Sequence, residues 1–211
     1  MTTHPSTSSG HVQEDKVVFG FWVYLMSDCV LFAGLFATYA VLQNATFGGP
    51  SIAELVSVPF VLTETMILLT SSFTVGLALL AAHRHSGTTT LRVGYGAGKK
   101  YLVLTLLAVT LLLGLAFLGM ELKEFSHLLA EGNGPSRSAF LSSFFTLIGT
   151  HGLHVFFGSL WMLILMAHIV IKGLNPGTVR KLTMVSLFWH FLDIIWIFIF
   201  TIVYLMGALA L

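Results

Sequence analysis

Charge is what this sequence has least of. Asp, Glu, Lys and Arg together make up only 9% of its 211 residues, against about 25% in soluble domains. Apolar residues make up 56%, gathered into nearly uncharged runs of about twenty residues or more, which is membrane-spanning length. A soluble globular fold is therefore excluded, and no nucleic-acid partner is expected. Cysteine is nearly absent too. With Cys29 alone, no intrachain disulfide can form, and thiolate metal sites usually need more than one cysteine; Cys29 reads as a small buried thiol. Nothing alternates with period two over about ten residues, which excludes a membrane barrel. There is no internal repeat of the kind that marks many transporters. No Ser/His/Asp nucleophile arrangement is legible. Gly94-Tyr95-Gly96-Ala97-Gly98 follows no strand and lacks the Lys-Ser/Thr pair of a phosphate loop.

What is present is an all-α pattern: a polytopic bundle of five transmembrane helices, over about residues 17–43, 59–82, 101–120, 139–171 and 182–208. Residues 1–14 are polar, rich in Ser and Thr, and read as a flexible tail. They lack the basic start and short apolar core of a signal peptide, so the tail is expected to stay on the protein. Gly48-Gly49-Pro50 and Gly132-Asn133-Gly134-Pro135 are turn signals. Gly173, Pro176 and Gly177 are read as stops between the fourth and fifth spans. At 1.5 Å per residue the fourth run is longer than a bilayer needs, so it is expected to tilt or project.

Basic residues set the expected orientation. Lys16, Arg84, Arg92, Lys99, Lys100, Lys172, Arg180 and Lys181 fall on the tail, second loop and fourth loop, while only Lys123 and Arg137 fall on the other side. Positive loops stay inside, so the N-terminus is expected in the cytoplasm and the C-terminus in the periplasm.

A few polar side chains lie where hydrocarbon is expected, and such residues normally turn inward and find partners. Asp28 sits close to mid-membrane and reads either as a proton-pathway acid or as an interhelical hydrogen-bonding group. Glu64, just past Pro59, reads as interfacial, bonded to a neighbouring helix or a lipid headgroup. Glu121, Glu124 and His127 share a helical face. One Glu-x-x-His falls short of a di-iron bundle, which needs two copies and further carboxylates. An interfacial acidic turn pairing with Lys123 or Arg137 is preferred. His151 and His154 share one face, as do His190 and Asp193. A haem between them is disfavoured because His151 and His190 differ in depth by about 15 Å. His154 and Asp193 lie nearer in depth, so a structural seam joined by a His154–Asp193 hydrogen bond is expected. On the residues alone, then, no metal ligand and no catalytic residue is assigned.

Several motifs occur in order: Phe19-Gly20-Phe21-Trp22 through Ser27-Asp28, Pro59-Phe60-Val61-Leu62-Thr63-Glu64-Thr65, Gly119-Met120-Glu121-Leu122, Gly149-Thr150-His151-Gly152-Leu153-His154, and Trp189-His190-Phe191-Leu192-Asp193. Together they resemble subunit III of the haem–copper oxidases. The five-span form, ending in Val203-Tyr204-Leu205-Met206-Gly207, is similar to the bacterial quinol-oxidising branch of cytochrome bo type. The resemblance implies a non-catalytic accessory subunit of a proton-pumping ubiquinol oxidase in the bacterial inner membrane. It implies subunits I, II and IV and membrane phospholipids as partners, with haems and copper in subunit I and no cofactor bound by this chain. Support of assembly, lipid binding and proton uptake would be its work. Asp28 stands where other branches often carry Glu. A stand-alone proton-coupled transporter using Asp28 and Glu64 is the competing reading, and a membrane b-type cytochrome a third.

Overall fold

In the computed structural model, residues 8–50, 52–55, 57–83 and 97–209 are described. Residues 1–7 of the polar tail, Arg84, Arg92, and Gly94 to Gly96 of the glycine-rich loop lie outside them. The regular structure of the described residues is helical: α1 (Ser8–Leu42), α2 (Ile52–Leu55), α3 (Val58–His83), α4 (Ala97–Ala130), α5 (Ala139–Lys172), α6 (Pro176–Ile199) and α7 (Met206–Leu209), with a π-helical stretch, Phe200–Leu205, between the last two. Five segments are long and apolar enough to cross a membrane: Lys16–Leu42, Val58–His83, Gly98–Ala130, Ala139–Lys172 and Pro176–Leu205. Five spanning helices are what the apolar runs predict.

The helix ends differ from expectation at three places, each for a local reason. α1 begins at Ser8, inside the stretch read as a flexible tail. α4 runs past Met120 to Ala130, so Glu121, Glu124 and His127 stand on the helix rather than in a turn. It closes in a Schellman arrangement: Gly132 has φ 76°, and the Gly132 and Asn133 amides donate to the Leu129 and Leu128 carbonyls at 3.1 and 2.9 Å. Glycine supplies that left-handed residue without a Cβ penalty. Third, Pro176 does not stop a helix but opens one. Asn175 caps α6, its Oδ1 accepting from the Thr178 amide at 2.8 Å, and proline fits the first turn because no bond is asked of its nitrogen. Gly173 does end α5 as expected, with φ 73° and its amide on the Ile169 carbonyl.

α3, α4, α5 and α6 close into a ring in which α3 packs on α4 and α6, and α5 on α4 and α6; α1 lies outside against α5 and, less, α6. The core of the ring is aromatic and aliphatic: Phe117, Phe140, Phe144, Leu147, Trp196 and Tyr204 are buried. Small residues let the rings in. A Cβ on Gly114 would come within 2.7 Å of the Trp189 ring, and one on Gly158 within 2.9 Å of Phe188. α2 packs on α7, where Ile52 occupies the space beside Gly207. Outward faces carry Phe73, Leu112, Phe157 and Ile171, all exposed, as suits a lipid-facing surface. Cys29, expected to be buried, is exposed, because it stands on the outer side of α1.

Candidate functional site: polar side chains buried between the helices

Three buried polar groups divide the bundle. On α1, Asp28 is only 7% exposed, and its Oδ2 lies 3.7 Å from Nε2 of His154 on α5. The other ring nitrogen of His154, Nδ1, is 2.7 Å from the Thr150 carbonyl one turn back. A carbonyl can only accept, so Nδ1 carries the proton and Nε2 is the atom turned to Asp28. Phe32 packs on the His154 ring at 5.2 Å between centroids, and Tyr24 lies one turn before Asp28 on α1.

The second group lies between α3 and α6. Ser72 Oγ is 2.9 Å from His190 Nδ1, and a groove of about 420 Å³ lined by Ser72, Phe73, Gly76, His190 and Asp193 opens beside it. Asp193 Oδ1 has no hydrogen-bond partner. The expected His154–Asp193 bond is therefore absent: His154 faces Asp28, while Asp193 sits with His190. The turn of α5 about its axis directs His154 to α1 instead of α6. Haem ligation fits no better. His190 is held by Ser72, and His151 is enclosed by Phe32, Phe117 and Trp196 at 5.2–6.4 Å between centroids. Both His151 nitrogens lack partners.

The third group corrects the expected acidic turn. Glu64 is fully buried and Glu121 is 4% exposed, so both are turned to the protein interior and not to lipid headgroups or solvent. Arg137 bonds Asn133, not these acids. His127 alone behaves as an exposed interfacial residue, with Nδ1 3.4 Å from Glu131. The reason is the length of α4: once the helix continues to Ala130, Glu121 and Glu124 fall on its inward face. Among the described residues, no three His, Cys, Asp or Glu side chains are arranged to hold a metal ion.

A ladder of indole bonds was not foreseen. Trp189 Nε1 donates to Ser71 Oγ at 3.0 Å and Trp196 Nε1 to Thr65 Oγ1 at 3.1 Å, and Thr74 and Thr110 hydroxyls meet at 2.8 Å. A signal existed: Trp189 and Trp196 are seven apart and their acceptors Ser71 and Thr65 six apart, each close to two helical turns, as matched faces on antiparallel helices require.

The chain matches known proteins over most of its length. The family described as cytochrome c oxidase subunit III matches residues 6–208. The chain is 58% identical over 199 residues to cytochrome bo(3) ubiquinol oxidase subunit 3 of Pseudomonas aeruginosa, covering 94% of this chain and 89% of that protein. It is 50% identical to the Pseudomonas putida protein of the same description, covering 94% and 90%. Cytochrome c oxidase subunit 3 of Bacillus sp. strain PS3 is 45% identical over 188 residues, covering 89% and 84%. With a family match over residues 6–208, the chain belongs to the cytochrome c oxidase subunit III family.

Proposed function

We propose that this chain is the third, non-catalytic subunit of a bacterial ubiquinol oxidase of the bo type, seated in the inner membrane beside subunits I, II and IV. The observation that carries this reading is 58% identity over 94% of the chain to a protein of that description. Haems and copper belong to subunit I in this reading; His154, His190 and His151 are committed to Asp28, Ser72 and an aromatic cage. The chain supplies a rigid apolar wall, lipid-facing outside, and Asp28 with His154 as an acid–base pair that supports proton uptake by its neighbour. The N-terminus lies in the cytoplasm and the C-terminus in the periplasm, following the eight-to-two distribution of Lys and Arg. A stand-alone transporter is disfavoured by this family membership and by the lack of sequence repeats.

Affinity purification of the chain from its native membrane tests the reading. Haem-bearing polypeptides should travel with it, and the isolated chain should show no haem absorption. A chain that purifies alone from gently solubilised membranes, or carries haem by itself, would overturn the assignment.

A further inference from the structure

The α3–α4 interface holds a group of side chains that the proposed role does not use. Glu121 and Glu124 stand three residues apart on α4, while Glu64 reaches toward them from α3 and is fully buried. The three carboxyl groups lie near enough for their charges to act on one another across the packed α3–α4 interface. Both oxygens of Glu64, both of Glu121, and Oε1 of Glu124 lack hydrogen-bond partners. The Glu121 carboxyl is pressed against α5 at Gly152, where an added Cβ would lie 2.9 Å from Oε2. Tyr204, placed by the π-helical stretch, is coupled to all three acids and to Tyr39 of α1. π-helical turns often occur at functional sites. A cavity of about 220 Å³, lined by Ser57, Phe60, Lys123, Glu124, His127 and Leu128, lies where α3 begins and α4 nears its last turn. Glu124 lines that cavity and belongs to the buried group.

Like charges on neighbouring carboxylates in a low-dielectric interior repel, and orphaned buried oxygens are costly. Buried water, which makes about three hydrogen bonds per molecule, is the usual remedy. We propose that Glu64, Glu121 and Glu124 form an internal proton-holding site, a hydrated carboxyl group cluster open to the aqueous phase through the cavity at Glu124. A proton entering at Glu124 is passed through water to Glu121 or Glu64. Only O–H bonds form and break, and each carboxyl O–H formed is matched by one lost from the water beside it. Lys123 and His127 at the mouth and Tyr204 within are the other titratable groups near it, with Tyr39 beside Tyr204. In the orientation proposed above, this mouth faces away from the cytoplasm.

Infrared difference spectroscopy on the intact oxidase complex tests the proposal. Stepping the pH should reveal the carbonyl stretch of undissociated carboxyl groups, moving to lower frequency in heavy water. Glu64→Gln should remove part of that signal, and Ser57→Phe, which fills the cavity, should slow its deuterium exchange several-fold. Should Glu64→Gln fail to assemble, Glu124→Gln at the half-exposed mouth must remove part of the signal by itself. A band unaltered in the glutamine variants, exchange equally fast with the cavity filled, or loss of the band on adding calcium chloride would each overturn the proposal; the last would mark a cation site. None of these outcomes depends on which subunits accompany the chain, so this reading and the subunit assignment fail separately.

Discussion

Asp28 on α1 and His154 on α5 face each other at 3.7 Å, Oδ2 to Nε2, and this pair is the polar link between the outlying helix and the ring. Because Nδ1 of His154 is tied to Thr150, the imidazole cannot turn away from Asp28 without losing that bond. Interhelical polar pairs in membranes average about 0.6 kcal/mol and reach about 1.7. A double-mutant cycle of Asp28→Ala and His154→Ala, read from thermal denaturation in detergent, should show coupling of about that size. Coupling between His154→Ala and Asp193→Ala should be near zero. A cycle with the two results exchanged would restore the α5–α6 seam and refute the observed pairing.

Asp28→Asn keeps shape and hydrogen-bonding capacity while deleting the titratable proton. The complex is expected to assemble with unchanged haem content and to keep oxidising quinol. Its turnover should fall, or its inactivation quicken, most at alkaline pH where protons are scarce. A variant complex devoid of haem, or inert at every pH though fully assembled, would show that Asp28 has been misassigned.

His151 is completely buried, and neither ring nitrogen has a partner. Exchanging an unsatisfied polar ring for an apolar one of similar size is often neutral or stabilising, since the orphaned groups cost about 1–3 kcal/mol. His151→Phe should therefore melt no lower than the parent. A marked drop in melting temperature would mean that His151 bonds to an ordered water or a partner chain.

Gly114 lies under Trp189, which is itself 2% exposed and bonded through its indole to Ser71. The ring has nowhere to move, so Gly114→Ala should cost about 1–3 kcal/mol as an overpacked site. Gly119 on the same helix has nothing within 4 Å of an added Cβ, and Gly119→Ala should be tolerated. Equal melting of the two variants would contradict this packing.

Topology is tested with reporter fusions. A reporter after Gly87 and one after Leu211 should report opposite compartments, the first cytoplasmic. Finding both in one compartment would be incompatible with five crossings.

Sequence alone determined the number of long apolar helices, five, and the solvent that suits them. Residues such as those of Val103–Ala116 have no alternative to a lipid-facing or buried helix, because backbone groups in hydrocarbon must bond within their own segment. The positions of Gly132 and Gly173 marked helix ends for the same local reason, a backbone conformation that favours glycine. Sequence could also say that Asp28, His151, His154 and Asp193 needed company. Which company was decided only by tertiary structure. Depth along a helix follows from counting residues, but the direction of a side chain depends on how each helix is rotated against its neighbours, and that is fixed by packing over the whole length. Glu121 and Glu124 show this most clearly: a short third span would leave them in water, whereas the full α4 turns them toward Glu64. His154 meets α1 instead of α6 for the same reason: the rotation of α5 is set by its packing on α1, α4 and α6 together.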